Sequence, residues 1–280
     1  MDMTPREKMK FARQSIVLST HTAQFEAVAF KGDFEHNLAK IAGWGYEGVE
    51  LAIRNPDLVD GDKLEKVLAD QSLKVPAIGT GQAWGEEHLS FTSPDLSIRK
   101  AAIDRIKNQI EFAQRFNALV IIGLIRGVTP TGQSTDQSIR LLIECLQDCL
   151  ETASAQGVRM ALEPLNRYET DLIHTVGEGL ELIHQIGSPN LGLLLDTFHM
   201  NIEESDMEDS IFRAGEHIFH FHVADSNRWH PGGGHLEFKT ILQALKSTGY
   251  QGWISGEFMP VPDADTAAQK SIALLKWLLH

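Results

Sequence analysis

Gly157-Val-Arg-Met-Ala-Leu-Glu163 and Gly192-Leu-Leu-Leu-Asp196, joined through the amphipathic stretch Glu178–Ile186, decide how this chain folds. Each apolar run is too short to fill a helix and ends on a carboxylate, whereas the stretch between them places Leu182, Ile183 and Ile186 at helical spacing. The same unit recurs in both directions. Strands are expected at Ile16–Ser19, Gly48–Ala52, Val75–Gly79, Leu119–Leu124, Arg159–Glu163, Gly192–Asp196, Phe219–Val223 and Trp253–Glu257. Helical patterns run over Phe34–Trp44, Lys63–Ser72, Ile98–Phe116, Ser138–Ala155, Glu178–Ile186, Met207–Ala214, Phe238–Thr248 and Thr266–Leu279. Gly43, Gly45, Gly157, Gly187 and Gly249 punctuate the step from helix to next strand, as C-caps do. Eight strand-then-helix units without a Pro/Ser-rich linker predict an α/β fold, a single (β/α)8 TIM barrel over residues 1–280. Parallel strands need helical crossovers, and closure removes the sheet edges. The rival, a doubly wound open sheet, would carry a Gly-rich first turn. Gly79-Thr-Gly81-Gln-Ala-Trp84 lacks the third glycine and follows the third strand, and Gly232-Gly233-Gly234 lacks the Lys-Ser/Thr of a phosphate loop.

With 25 Lys plus Arg against 38 Asp plus Glu, the chain carries a formal charge of −13, which repels phosphate backbones and speaks against a nucleic-acid partner. Its composition, 42% hydrophobic and 22% charged, is that of a globular chain with a sizeable core. Cys145 and Cys149 share an apolar helical face with Leu142 and Leu146, which reads as buried thiols; no third ligand stands nearby to make them a metal pair. No disulfide framework argues for secretion. Met1–Gln14 has no apolar leader core, and the longest apolar run, Ala118–Ile125, is far below the roughly 20 residues of a membrane span. A cytoplasmic protein with no membrane partner is the expectation.

A barrel of this kind places its chemistry at the C-terminal ends of the strands. Four consecutive strands end in metal-ligand types: Glu163, Asp196, His222 and Glu257, at separations of 33, 26 and 35 residues, each about one strand-helix unit. One such residue alone is more often a cap, a salt bridge or a satisfied core group. Four at matching positions would desolvate and repel one another unless a cation neutralised them. Three carboxylates and one imidazole suit Mn²⁺ first, with Mg²⁺ or Co²⁺ as alternatives and Zn²⁺ able to bind. A divalent ion there stabilises the enediolate formed when a C–H proton beside a ketone is removed. Inverting that carbon needs two acid/base groups, and Glu163 and Glu257 come from opposite sides of the ion.

Further polar residues follow in the strand-to-helix loops. Glu169, His199 and Arg228 are candidate substrate contacts, with local salt bridges as the plainer explanation. His220 shares a face with His222 and reads as a supporting partner or a barrel-layer residue. Glu50 reads as a lumen carboxylate or a packed, paired group. Arg126 reads as a solvated loop charge before a contact to an acidic substrate. Trp84 is a candidate pocket wall, and Trp44, Trp229 and Trp277 are read as core or rim aromatics. The loop Arg228–Leu236 carries three glycines that would permit lid motion.

Glu163-Pro-Leu-Asn-Arg-Tyr-Glu169, Asp196-Thr-Phe-His199-Met-Asn-Ile-Glu-Glu204 and His220-Phe-His222 with Ser226-Asn-Arg228 resemble the metal site of the xylose isomerase-like barrel enzymes that epimerise ketoses, the tagatose/psicose 3-epimerase group. The resemblance implies a metal, Mn²⁺ in the first place, on Glu163, Asp196, His222 and Glu257, the two glutamates as acid/base pair, and Glu169, His199 and Arg228 on the substrate. It also implies homodimers or homotetramers. Glu257-Phe-Met-Pro260 and Ala224-Asp225 depart from the free-ketose pattern. Ala29-Phe-Lys-Gly-Asp33, Ala77-Ile-Gly-Thr-Gly-Gln-Ala83 and Val120-Ile-Ile-Gly-Leu-Ile-Arg-Gly127 resemble a neighbouring branch, the 5-keto-L-gluconate epimerases. The expected substrate is therefore a keto-sugar or a keto-sugar acid, the latter giving Arg126 or Arg228 a carboxylate to bind. An aldose–ketose isomerase, sugar-phosphate isomerases included, is the nearest alternative. A metal-dependent nuclease of the abasic-site type needs a larger His-rich cluster and a basic face, and a sugar-binding module that kept the metal is a third reading.

Overall fold

A computed structural model describes residues 11–279; most of the N-terminal stretch considered above, residues 1–10, lies outside the described residues. In chain order the elements are β1 (Arg13–Ser19), β2 (Phe30–Lys31), α1 (Phe34–Gly43), β3 (Gly48–Ala52), α2 (Gly61–Asp70), β4 (Ala77–Gly79), α3 (Gly81–Glu87), α4 (Leu96–Gln114), β5 (Leu119–Ile122), α5 (Thr135–Gln156), β6 (Met160–Leu162) and α6 (Val176–Ile186). Then come β7 (Leu191–Asp196), α7 (Thr197–Glu203), α8 (Met207–Ala214), β8 (Ile218–Val223), α9 (Phe238–Ser247), β9 (Trp253–Gly256) and α10 (Ala264–Leu279). The sheet runs β1-β3-β4-β5-β6-β7-β8-β9 and closes through β9 onto β1, all parallel, so the eight expected units form the (β/α)8 barrel. No helix among the described residues is long and apolar enough to cross a membrane.

The strands obey period two. On β1 and β3, Ile16, Leu18, Val49 and Leu51 join the large apolar layer under the helices, while Val17, Glu50 and Ala52 turn to the lumen side. The lumen's lower layer is small, built from Ala77, Leu119, Ile121, Ala161 and Leu194. Two helices begin with reciprocal capping boxes, Ser134 with Gln137 on α5 and Thr175 with Glu178 on α6, and end on Gly157 and Gly187 at φ 66° and 68°. Cys145 and Cys149 are buried on α5 as free thiols, and burial pushes Cys145 up to about 12, which makes it inert at neutral pH.

Several boundaries differ from the sequence expectation. The β5 pattern stops at Ile122, and Leu124–Arg126 curl into a 3₁₀ turn because Gly123 leaves the extended region. The short strand β2 pairs only with β1, outside the barrel closure. Helices α3 and α7 are too short to show a helical period. α7 is started by Asp196 itself, whose carboxylate accepts from the Phe198 N–H at 2.8 Å. His199 therefore stands on a helix, one turn above the strand end, instead of in a loop.

Candidate metal centre and its pocket

Glu163, Asp196, His222 and Glu257 converge at the C-terminal mouth, their ligand-type atoms all within 4.8 Å of one another. His222 Nδ1 lies 3.9 Å from Glu163 Oε1, from Asp196 Oδ2 and from Glu257 Oε2. That spacing is too long for a hydrogen bond and too close for three uncompensated carboxylates. Glu163 Oε1, Asp196 Oδ2 and His222 Nδ1 are buried and lack any hydrogen-bond partner. Orphaned buried acceptors aimed at one point are what a divalent cation satisfies, so the donor set fits an oxygen-preferring metal.

The electrostatics agree. Burial, then the neighbouring Glu257, hold the Glu163 carboxyl well above the usual carboxylate range. Burial also raises Asp196 and pushes Glu257 up to about 7. Burial alone would lower His222, but the Glu50 carboxylate, with Glu257 and Glu163, holds it up at about 10. A divalent cation held by the three carboxylates and His222 Nδ1 would supply the counter-charge that these buried groups call for.

Glu163, His222 and Glu257 open into a cavity of about 290 Å³ whose walls also include Glu169, His199 and Arg228, so these three candidate substrate contacts reach the same space. His199 Nδ1 accepts from the Asn166 side-chain amide at 2.7 Å and its backbone N–H at 3.3 Å. Its proton is therefore on Nε2, which has no partner and sits 3.9 Å from Glu163 Oε1. Burial, then Arg228, hold His199 well below the normal imidazole value, so it stays a neutral donor. Arg228 donates to Glu169 Oε1 at 2.6 Å and reaches Glu257 Oε2 at 3.5 Å, with its guanidinium against the rings of Phe198 and Phe25.

Three expectations need correction. Arg126 is neither solvated nor facing substrate: it is fully buried, its guanidinium donating to the carbonyls of Gly123, Leu172, Ile173 and Ile122, and it is not among the described residues that line the cavity. Those carbonyls, at the end of β5 and in the loops after β5 and β6, are what hold it. Trp84 does not line the cavity either, because α3 carries Gly81, Gln82, Gly85 and Glu86 on its inner side. Trp277 is 73% exposed on α10, belonging neither to the core nor to the mouth. Sequence reading also missed Asn166, Phe25 and Phe198 as supports of the site. Asn166 had a usable signal, standing three residues past Glu163; the two phenylalanines had none.

The xylose isomerase-like TIM barrel family model matches residues 38–278. The chain belongs to that family. An L-ribulose 3-epimerase from Mesorhizobium japonicum is 30% identical over 260 residues, spanning 92% of this chain and 86% of its own length. A D-psicose 3-epimerase from Ruminiclostridium cellulolyticum is 29% identical over 229 residues, 80% of this chain and 77% of its own. A solved L-ribulose 3-epimerase structure superposes with a TM-score of 0.82 at 28% identity, covering 96% and 94% of the two chains. These relatives are epimerases, and this family member is an isomerase-class enzyme; the relatives support a sugar epimerase.

Proposed function

We propose that the protein is a divalent-metal-dependent epimerase that inverts the carbon beside the ketone of a keto-sugar or keto-sugar acid. The observation that carries this reading is the set of orphaned ligand atoms of Glu163, Asp196 and His222, with Glu257 closing the ring at 3.9 Å. Mn²⁺ is the first choice for the metal, with Mg²⁺ or Co²⁺ as alternatives. When bound, the cation supplies Lewis-acid stabilisation of an enediolate.

The chain's own residues do the rest. Glu163 and Glu257 follow the fifth and eighth barrel strands and flank Asp196 and His222 in sheet order; in this reading one takes the carbon-bound proton and the other returns a proton to the opposite face. Burial raises both carboxyls above the usual carboxylate range, Glu257 to about 7, where a carboxyl group can both accept and donate near neutral pH. The His199 Nε2–H, neutral and without a partner, is placed to polarise the substrate carbonyl. Glu169 and the Arg228 pair present hydrogen bonds to hydroxyl groups, and the buried, unpartnered Arg228 Nε is the donor a substrate carboxylate would take. Arg126, enclosed by carbonyls, has no part in that recognition.

Turnover in deuterated water with added Mn²⁺, followed by NMR across tagatose, psicose, fructose, ribulose, 5-ketogluconate and tagaturonate, tests the reading. Deuterium at one carbon beside the ketone, with inversion there, is the expected result. Carbonyl migration would convert the assignment to an aldose–ketose isomerase.

A further inference from the structure

Glu50 is a carboxylate in the middle of β3, 1% exposed, at a lumen position where an apolar residue would be the ordinary filling. Its Oε2 receives two imidazoles at once, His220 Nε2 at 2.7 Å and His222 Nε2 at 2.9 Å, and the two rings meet edge to face at 5.1 Å. A carboxylate only accepts, so both imidazoles donate their Nε2 protons to it. That arrangement leaves His222 one way to present a lone pair, through Nδ1, and Nδ1 is the orphaned atom equidistant from the three carboxylates. Glu50, His220 and His222 also satisfy the distances of a metal set of their own. His222 cannot give both nitrogens to metals while keeping a proton, and contacts of 2.7 and 2.9 Å are hydrogen-bond lengths, so the trio is a support and not a second centre.

We propose that Glu50, clamped from the far side by His220, is a positioning residue that fixes the ring orientation and tautomer of His222 and thereby sets the affinity of the metal centre. The inference rests on the metal reading given above. An imidazole whose outer N–H is bonded to a carboxylate is a more basic ligand and pays less to be oriented, and losing such a partner weakens metal binding by about 10- to 100-fold.

Mn²⁺ titration of metal-stripped full-length protein, read by the electron-paramagnetic-resonance signal of free Mn²⁺, tests this without turnover. Glu50→Gln is expected to raise the Mn²⁺ Kd by at least about tenfold. His220→Phe, which leaves Glu50 bound to His222 alone, is expected to raise it by less, and serves if the Glu50 variant does not fold. With Mg²⁺ bound, the ring ¹⁵N shifts of wild-type His222 are expected to show the proton on Nε2. A merely structural role would lower the melting temperature of the variants and leave Kd of the folded protein unchanged. Kd values within threefold of wild type in the variants that fold, or a proton on Nδ1, would overturn the inference while wild-type Mn²⁺ binding keeps the metal reading intact. Wild-type protein that binds no Mn²⁺ would overturn both.

Discussion

An acid that exchanges a proton with carbon near neutral pH needs a pKa close to that pH, and burial moves Glu163 and Glu257 in that direction. Glu163→Gln and Glu257→Gln keep the shape and lose the proton carrier. Each is expected to lower the rate of epimer formation by about 10²- to 10⁴-fold, measured by NMR on a saturating ketose. Gly123 is tied to the same site from behind, since a Cβ built on it would lie 3.0 Å from Glu163 Oε2. Gly123→Ala should therefore displace that carboxylate. The expected signature is a kcat loss of about tenfold or more with little change in melting temperature, because the substitution shifts a reacting group and opens no cavity.

At the scale of elements, the loop after β8 decides where Arg228 sits. Asp225 is buried beneath that loop, its carboxylate accepting from the backbone N–H groups of Ser226, Gly232 and Leu236 at 2.8, 2.8 and 3.1 Å. A Cβ on Gly234 would come within 2.3 Å of the same carboxylate. The three glycines that would permit a lid thus let the chain wrap closely around an anion, and Met259 N–H bonds the Arg228 carbonyl at 2.8 Å to tie the wrap to the eighth barrel strand's loop. Burial pushes Asp225 up, but the backbone N–H groups outweigh it and hold the carboxyl below its usual value. Its stabilisation is therefore present above the unfolded pKa and lost as pH falls through the lower folded value. Asp225→Asn should cost about 1.5–3 kcal/mol at neutral pH, and its melting-temperature difference from wild type should shrink on acidification below about pH 4.

For the whole molecule, the candidate metal ligands come from the ends of β6, β7, β8 and β9, half of the barrel's circumference, so a bound cation would tie those strands together. A cation that binds only the folded barrel stabilises all of it. At a hundredfold excess over Kd the gain is about 2.7 kcal/mol. For a chain of this length that is a melting-temperature rise of roughly 5–10 °C. Calorimetry with Mn²⁺, then with a chelator, should show the rise and its reversal, and Asp196→Ala should abolish the response. A shift of the same size in Asp196→Ala would place the ion elsewhere.

The residues' own chemistry already determined much of this protein. Alternation of short apolar runs with amphipathic stretches is a local property, so all eight barrel strands could be counted, and a ligand at the end of a strand is visible because the strand itself is. Glu163, Asp196, His222 and Glu257 were legible for that reason, and the structure brings them together. What only the tertiary structure decided involves pairs distant in sequence. Glu50 meets His220 and His222 across 170 and 172 residues, and no spacing rule links them. Arg126 reads as a loop charge because its partners are backbone carbonyls, which every residue carries and no sequence marks. Helices α3 and α7 are shorter than the period needed to see them, yet they set Glu86 and His199 at the cavity. Periodicity is written in the order of residues; the closing of the barrel decides which buried charges share a proton, a carbonyl or an ion.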